Sequence, residues 1–234
     1  MRVLHIAVLQ PQCLAMEQAS DTECAMSKYA ILLSGSVVKT TRLVQQLSNA
    51  RVIAADGGMI HAASLGLSPE LWVGDFDSTP QALADRWHNV PRQTHPVAKD
   101  ASDGELAISE ALRRGATSLI LVGGMGGQLD HVLAHAGFLL ALAKRGVEVM
   151  MTSGSEEAYG LVDELQVSDL KLCTRISVMP FTDLAGLSIS GVKWPLTNQL
   201  IRLGTAHSLA NEVTGQVKLS LASGSAIVVI YPNA

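Results

Sequence analysis

Several common features are missing from this sequence of 234 residues, and each absence excludes a class of protein. The three cysteines, Cys13, Cys24 and Cys173, form no Cys-x-x-Cys pair, so neither a disulfide framework nor a zinc site is predicted. A formal charge of −4 without any basic run gives no electrostatic basis for a nucleic-acid partner. No apolar run reaches the length needed to cross a membrane. We therefore expect a cytoplasmic protein with no nucleic-acid or membrane partner.

The composition is that of a folded enzyme-sized chain. Hydrophobic residues make up 48% and charged residues 16%, which is typical of a globular protein rather than a disordered one. The first residues faintly resemble a signal peptide, but Gln10, Pro11 and Gln12 interrupt a short apolar run. Organised hydrophobic pattern begins at Tyr29. Residues 1–28 are therefore predicted to be a loosely ordered extension.

The remaining chain divides into two parts with different patterns. Residues 29–155 alternate short apolar strands with helices, which predicts an α/β domain with a mostly parallel, Rossmann-like sheet covered by helices on both faces. Residues 156–234 contain strands separated by turn residues and no long helix, which predicts a smaller antiparallel β-sandwich. The strands are predicted at 29–33, 51–55, 71–73, 118–122, 147–152, 175–179, 184–189, 199–203, 216–221 and 226–230. The helices are predicted at 40–47, 60–65, 80–87, 103–113 and 129–144.

Five aspartates lie in three short clusters, each following an apolar run. The clusters are Asp56-Gly57-Gly58, Gly74-Asp75-Phe76-Asp77-Ser78 and Asp100-Ala101-Ser102-Asp103. Ligands of α/β sheets bind beyond the carboxyl ends of the strands, where these clusters are expected. Carboxylates gathered there suit Mg²⁺, which in such a protein usually accompanies phosphate chemistry. If the second cluster is extended, Asp75 and Asp77 point the same way and can reach one ion.

Each cluster also has a purely structural explanation. Asp77 or Ser78 can cap the helix that follows Thr79-Pro80. Ser102 and Glu105 form the pattern of a capping box, which leaves Asp100 unexplained. Asp56-Gly57-Gly58 can be a turn that ends a strand.

A glycine-rich segment, Gly123-Gly124-Met125-Gly126-Gly127-Gln128, stands between a predicted strand and a predicted helix. Glycines there let backbone N–H groups approach a phosphate, although the segment matches neither the dinucleotide fingerprint nor the P-loop. Leu33-Ser34-Gly35-Ser36 after the first strand is a weaker candidate of the same kind. Asp130 can accept from a ribose or adenine donor, or can cap the helix. His131 and His135 have the spacing of zinc ligands, but the HExxH form is absent.

Trp194 is the single tryptophan of the C-terminal part, in the segment Gly191-Val192-Lys193-Trp194-Pro195-Leu196. A core position is the usual one for tryptophan. The neighbouring lysine and proline favour a partly exposed loop, in which the indole can stack on a flat or cationic ligand.

Taken in order, these segments resemble thiamine pyrophosphokinases, particularly the bacterial form. The resemblance is carried by Ala54-Ala55-Asp56-Gly57-Gly58, Gly74-Asp75-Phe76-Asp77-Ser78, Lys99-Asp100-Ala101-Ser102-Asp103-Gly104-Glu105-Leu106-Ala107, Gly126-Gly127-Gln128-Leu129-Asp130-His131, Gly191-Val192-Lys193-Trp194-Pro195-Leu196 and Ser208-Leu209-Ala210-Asn211-Glu212. It covers residues 29 to 231. It implies an α/β catalytic domain followed by a β-sandwich, in a homodimer with sites between subunits.

The resemblance also implies a reaction and roles for residues. ATP would donate its terminal diphosphate to the thiamine hydroxyl, giving thiamine diphosphate and AMP by in-line attack at the β-phosphorus. Mg²⁺ and the diphosphate would be held by Asp75, Asp77, Asp100 and Asp103. The nucleotide would face Asp56, Gly126, Gly127, Gln128 and Asp130. Thiamine would face Trp194, Ser208 and Asn211.

Three positions depart from the family pattern. Gln128 stands where arginine is usual, which removes a charge that stabilises phosphates and predicts weaker or altered nucleotide binding. Gly104 replaces a usual threonine and loosens the first turn of a helix. Ser208 and Asn211 are separated by two residues where bacterial members have Ser-Asn adjacent.

Two other functions explain parts of the pattern. Asp75-x-Asp77 could be the nucleophile pair of a haloacid-dehalogenase-type phosphatase, but that pair is expected after the first strand and a distant acidic element is missing. A thiamine or nucleotide sensor without turnover would explain Gln128. The sensor leaves the metal-type aspartates unexplained, since thiamine binding alone does not need them.

Overall fold

The computed structural model describes residues 27–77, 79–94 and 101–232. Ser78 and Asp100 therefore lie outside the described residues. The predicted extension does too, apart from residues 27 and 28. Within these ranges the strands are β1 (Lys28–Leu32), β2 (Arg51–Ala55), β3 (Leu71–Gly74), β4 (Arg92–Thr94), β5 (Ser118–Val122), β6 (Glu148–Thr152), β7 (Glu157–Leu161), β8 (Glu164–Val167), β9 (Arg175–Pro180), β10 (Leu184–Val192), β11 (Leu196–Ile201), β12 (Asn211–Ser220) and β13 (Ala226–Tyr231). The helices are α1 (Thr41–Gln46), α2 (Ile60–Leu65), α3 (Gln81–Arg86), α4 (Asp103–Arg113) and α5 (Leu129–Lys144), with a 3₁₀ turn at Asp56–Met59.

The first six strands pair in the order β4-β3-β2-β1-β5-β6, and every pair among them is parallel. Their carboxyl ends therefore share one edge of the sheet. The strand order changes direction at β1, from which one run of strands goes to β4 and the other to β6. A crevice opens beyond the carboxyl ends at such a switch point, so the topology itself predicts where a ligand binds.

Helices cover both faces of this parallel sheet, as the alternation along β1 demonstrates. Tyr29 and Ile31 pack with residues of α4 and α5, whereas Ala30 and Leu32 pack with residues of α1 and α2. All four side chains are fully buried. Burial on both faces explains why the strand sequences are continuously apolar and not alternating.

The strands from β7 onward pair antiparallel. β7 pairs with β6 on one side and β13 on the other, so the same sheet continues into the C-terminal part through β9 to β12. β12 also pairs with β8 and β10, and β11 forms the outer edge beside β10. A second apolar core, which includes Leu161, Ile176 and Val217, fills this region.

The predicted α/β chain with a C-terminal antiparallel β-region is confirmed, while the finer names Rossmann-like and β-sandwich stay predictions. Three strands were missed by the sequence: β4, β7 and β8. They are short or polar, and β4 lies at the sheet edge, so hydrophobic pattern does not reveal them. In the described part of the chain, no helix combines the length and apolar character needed to cross a membrane.

Candidate functional site

A cleft of about 790 Å³ opens at the carboxyl ends of the parallel strands. It lies at the predicted switch point, between the loops that follow β1, β2, β3 and β5. Its lining includes the predicted residues Asp56, Asp75, Asp103, Gly126, Gly127 and Gln128. Three separate aspartate clusters and the glycine segment therefore meet at one place, although 72 residues of sequence separate the first from the last.

The loop after β1 and the loop after β5 are packed directly against each other. The Gly35 N–H donates to the Gly123 carbonyl oxygen over 3.0 Å. A β-carbon at position 35 would collide with the carbonyl oxygens of Gly123 and Gly126, so only glycine fits this approach. Ser34-Gly35, the weaker of the two candidate loops, is thus part of the same wall as the glycine-rich segment.

Two histidines that the sequence analysis did not use for the site orient these loops. His61 Nε2 lies 2.8 Å from the Gly35 carbonyl oxygen, and His135 Nδ1 lies 3.0 Å from that of Gly124. A carbonyl oxygen only accepts, so each imidazole nitrogen donates. Burial lowers the pKa of both histidines, which favours the neutral rings. No signal in the sequence identifies these anchors, because the carbonyl oxygens that they contact belong to loops 26 and 11 positions away.

Asp56 is the carboxylate around which the acidic groups converge. It starts the 3₁₀ turn after β2 with a positive φ of 41° and is half-buried. Burial raises the pKa of Asp56, and the carboxylates of Asp103, Asp75 and Asp77 raise it further, against a hydrogen bond from the Gly57 backbone. Like charges brought together in this way cost free energy unless a cation joins them.

The segment after β3 is a turn and not the extended stretch that was expected. Phe76 has a φ of 63°, and its ring packs edge-on against Trp72 with centroids 5.1 Å apart. The Asp77 N–H donates to Asp75 Oδ1 over 3.2 Å. Asp75 consequently lines the cleft, whereas Asp77 is exposed and is not among the lining residues.

The first turn of α4 also lines the cleft. Ser102 Oγ accepts from the Glu105 N–H over 3.2 Å, so the predicted cap is present, and Asp103 follows it as the first helical residue. A β-carbon at Gly104 would lie 3.0 Å from Leu33 Cδ2 and 3.7 Å from His135 Nε2. The glycine therefore allows α4 to approach the glycine-loop wall closely. Asp100, the remaining member of the predicted metal set, lies outside the described residues.

Gln128 and Asp130 lie at the start of α5 but are placed differently. Gln128 is the residue before the helix and lines the cleft. Asp130 is exposed, does not line the cleft, and its Oδ1 accepts from the His131 N–H over 2.9 Å. Asp130 was expected either to accept from a nucleotide or to cap the helix. The contact present is of the second kind, an acceptor for a backbone N–H in the first turn of α5.

The donor chemistry of the cleft fits a hard divalent cation. Among the described residues that line it, three are carboxylates and none is lysine or arginine. The described part of the chain holds no ready-made group of three or more metal-ligating side chains. Burial is the main cause of the raised pKa of Asp56, and the nearby carboxylates of Asp103, Asp75 and Asp77 add to it. This gathering of carboxylates fits a cation, with ligands completed by substrate phosphates.

The three residues predicted for thiamine lie in the antiparallel region. Trp194 stands in the turn between β10 and β11 with 54% of its surface exposed. Ser208 and Asn211 are buried, and the Ser208 hydroxyl donates to the Val178 carbonyl oxygen over 2.8 Å. Asn211 hydrogen-bonds the backbone of Trp194. None of the three lines the cleft of the same chain.

A parallel α/β sheet with glycine loops and carboxylates at its switch point defines a phosphate-binding α/β protein. Comparison with known proteins narrows this class. Residues 44–151 match the catalytic domain of thiamin pyrophosphokinase, and residues 164–226 match the vitamin B1 binding domain of thiamin pyrophosphokinase. The two matches are adjacent, do not overlap, and together cover most of the chain.

Individual relatives agree with these matches. The curated thiamine pyrophosphokinase of Bacillus subtilis (strain 168) is 26% identical over 182 residues, which is 76% of this chain and 85% of that protein. The crystal structure of thiamine pyrophosphokinase from Bacillus subtilis has a TM-score of 0.79 at 22% identity and covers 89% of this chain and 100% of that chain. Thiamin pyrophosphokinase from Candida albicans has a TM-score of 0.74 at 13% identity, covering 96% and 97%. The chain belongs to the thiamine pyrophosphokinase family.

Proposed function

We propose that this protein transfers the diphosphate of ATP to the hydroxyl of thiamine, giving thiamine diphosphate and AMP. The observation that carries the proposal is the convergence of Asp56, Asp75 and Asp103 with the glycine loops in one cleft. In-line attack needs two substrates held at a fixed distance and a site that neutralises the phosphates. The cleft supplies the phosphate side of this arrangement.

The nucleotide lies along the glycine loops in this proposal. Exposed backbone at Gly126 and Gly127 faces the cleft beside the N-terminus of the sixteen-residue helix α5, which favours phosphate oxygens. His61 and His135 hold the carbonyl oxygens of Gly35 and Gly124, and this fixes the two loops that face the ligand. Gln128 offers an uncharged amide, and Asp56 and Asp130 serve the nucleotide side as acceptors.

The metal proposed for the site is Mg²⁺, held by Asp75, Asp77, Asp100 and Asp103. When bound, Mg²⁺ neutralises charge on the transferred diphosphate. Asp75 and Asp103 supply hard oxygen donors from two separate segments that line the cleft, and one of these carboxylates accepts the proton of the thiamine hydroxyl. Asp77 would add its carboxylate from the exposed side of the turn, and its backbone N–H also holds Asp75 Oδ1.

Thiamine is proposed to reach the cleft against Trp194, Ser208 and Asn211 of a second copy of the chain. Six strand spacings separate β10 from β5 along the sheet, which is roughly 30 Å at about 4.8 Å per strand. Exposed leucines lie near both parts: Leu129 and Leu133 beside the cleft, and Leu200 and Leu203 beyond Trp194. Such surfaces are common at subunit contacts. These leucines support our proposal of a homodimer with sites between subunits.

The same proposal assigns a task to each part of the chain. A Rossmann-like catalytic domain over residues 29–155 would bind ATP and the metal, and a sandwich-type domain over residues 156–234 would bind thiamine. The parallel pairing of β1 to β6 and the separate apolar core around β9 to β13 support this division. Residues 1–28 are proposed to be an N-terminal extension that precedes the two domains.

The first experiment is to incubate the purified protein with ATP, Mg²⁺ and thiamine and to separate the products. AMP and thiamine diphosphate in equal amounts, lost in Asp75→Asn, are expected. ADP with thiamine monophosphate would place the attack at the γ-phosphorus and contradict the proposal. Thiamine binding without any product would favour a sensor, the alternative for which Gln128 is the supporting observation.

A second experiment tests the shared site by mixing two variants, assayed at a thiamine concentration low enough that each alone has little activity. Asp103→Asn damages the cleft, and Trp194→Ala damages the thiamine side. If each site uses both subunits, hybrid dimers contain one intact site, and a mixture that is unfolded and refolded together should recover about a quarter of wild-type activity. Sites confined to single chains would give no recovery, and each variant refolded alone serves as the control.

A further inference from the structure

We infer that Asn211 is a positioning residue that sets the place of the Trp194 indole and acts on thiamine only through it. The inference rests on the proposed thiamine-side role of Trp194. It changes the expected role of Asn211 from a ligand contact to a support. The support lies on a neighbouring strand, 17 residues further along the chain.

The carboxamide of Asn211 is engaged with the backbone of Trp194. Asn211 Oδ1 accepts from the Trp194 N–H over 3.1 Å, and Asn211 Nδ2 donates to the Trp194 carbonyl oxygen over 2.8 Å. Oδ1 also accepts from the Glu212 N–H over 2.9 Å. Both lone-pair positions of the oxygen and one of the two amide protons are therefore used. Only 9% of the surface of Asn211 is exposed.

The turn that carries Trp194 needs such a support. The pairing of β10 with β12 shifts register between Ser190 and Val192, and Gly191 lies between them with a φ of 73°. A β-carbon at Gly191 would collide with the Gln216 carbonyl oxygen. Trp194 follows this irregularity, and its exposed ring gains little from core packing. Its direction is therefore set by the backbone, which Asn211 holds at both polar groups.

The orientation of the indole matters because its two faces are not equivalent. Lys193 Nζ lies 4.7 Å from the centre of the ring and 3.1 Å from Glu212 Oε2. The ammonium group covers one face of the indole, so a cationic ring stacks on the opposite face. Without the hydrogen bonds from Asn211, the turn would be more mobile and the Trp194 indole would no longer keep one orientation. Thiamine binding should then weaken while ATP binding is unchanged.

The test is a double-mutant cycle with Asn211→Ala, Trp194→Ala and both changes together, measured in the full-length protein. Asn211→Ala is expected to raise the thiamine KM about tenfold, the scale of a lost stacking contact, with the ATP KM unchanged. In the Trp194→Ala background the same change should raise the thiamine KM less than about twofold. Equal factors in both backgrounds would mean that Asn211 contacts thiamine directly and would overturn the inference.

Hydrogen exchange of the segment 192–196 gives an independent measure without any substrate. Asn211→Ala should abolish protection of the Trp194 amide. The control is Ser188→Ala, which removes the acceptor of the Asn198 N–H between β10 and β11. This control should leave the Trp194 amide protected. Unchanged protection in Asn211→Ala would overturn the inference. If Asn211→Ala does not fold, Asn211→Asp keeps the acceptor oxygen and enters the same cycle.

The proposed function can fail separately. If Trp194→Ala leaves the thiamine KM unchanged, the stacking role proposed for Trp194 is wrong, and the inferred action of Asn211 on thiamine falls with it. Wild-type production of thiamine diphosphate in that assay would still stand. A wild-type protein that forms no product instead contradicts the proposed reaction, and direct thiamine binding then replaces KM throughout the cycle.

Discussion

Two regions of the molecule bury carboxylates in different ways. In the cleft, Asp56 is half-buried near other carboxylates, and its pKa is raised mainly by burial and further by those charges. At the start of β7, Glu157 is 1% exposed. Its carboxylate accepts hydrogen bonds from Arg42 Nε at 2.6 Å, Gln46 Nε2 at 2.7 Å and Tyr159 Oη at 2.8 Å. Burial raises the pKa of Glu157, but these hydrogen bonds outweigh it and the pKa is lowered.

The difference separates a carboxylate that stabilises the fold from one that is kept for a ligand. Glu157 joins β7 to α1, and Arg42 Nη1 also donates to the Asp169 carbonyl oxygen, so the charge ties together distant segments. Within the described ranges, Asp56 takes part in none of the ion pairs, and its carboxylate accepts a hydrogen bond from the backbone of the adjacent Gly57. A crowded acid with a raised pKa at a sheet switch point is instead a mark of a functional site.

Breaking the Glu157 ion pair should have the largest effect on stability. Arg42→Met leaves a buried carboxylate uncompensated, which should lower the free energy of unfolding by about 3–5 kcal/mol in urea denaturation. The control is Arg202→Met, which breaks the exposed pair with Asp183 and should lower the free energy of unfolding much less, because solvent screens that pair. If the two changes cost the same, Glu157 does not stabilise the fold through its charge.

The pH dependence of the Glu157 contribution follows from the sign of its shift. A lowered pKa in the folded state stabilises the protein above the ordinary value of 4.5, and the contribution is lost as pH falls below it. The wild type should therefore lose stability below pH 4.5 more steeply than the double variant Arg42→Met/Glu157→Gln. Parallel pH profiles would contradict this assignment.

Replacing Asp56 should have a smaller effect of opposite sign. A raised pKa means that the charged form is disfavoured in the folded state, so stability falls as pH rises past the ordinary range of aspartate. Without metal or nucleotide, Asp56→Asn should raise Tm at pH 7 by about 1–4 °C, since solvent screens a half-buried carboxyl. The gain should vanish near pH 3, and the exposed control Asp163→Asn should change little.

Gln128→Arg should have the smallest effect of these substitutions. It tests what an added positive charge does to nucleotide binding in the cleft. Arginine adds a fork of donors suited to phosphate, so the ATP KM should fall about three- to tenfold with little change in the thiamine KM. Gln128→Lys supplies the charge without the planar fork, so its ATP KM should lie between those of the wild type and Gln128→Arg. A lower thiamine KM instead would mean that Gln128 faces the other substrate.

The sequence predicted most of the regular structure because the buried strands are uniformly apolar and the helices have clear ends. β2, β5, α2, α4 and α5 begin and end where expected. The Asp56, Asp75 and Asp103 clusters and the glycine loop were expected at one edge, and they meet there because parallel strands end together. What the pattern could not reveal depends on contacts between distant residues. Arg42 and Glu157 are 115 positions apart, and each alone reads as a surface charge.

The other differences between the predictions from sequence and the structure depend on local geometry. The turn at Phe76 arises from its packing on Trp72, which no property of the pentapeptide alone indicates. His61 and His135 became recognisable as loop anchors only when the facing carbonyl oxygens were known. In the same way, the sequence suggested Asn211 as a residue of the thiamine side but could not distinguish contact from support.

The placement of β13 has a consequence for the order in which the chain is made and folded. This strand, Ala226–Tyr231, lies between β7 and β9, both completed at least 45 residues earlier. During synthesis the α/β part can fold as it emerges, whereas β7 and β9 each wait with an unpaired edge until β13 arrives. At about 5–20 residues per second that exposure lasts several seconds. The interval is a window in which a chaperone, or the edge of another nascent chain, competes for the same hydrogen bonds.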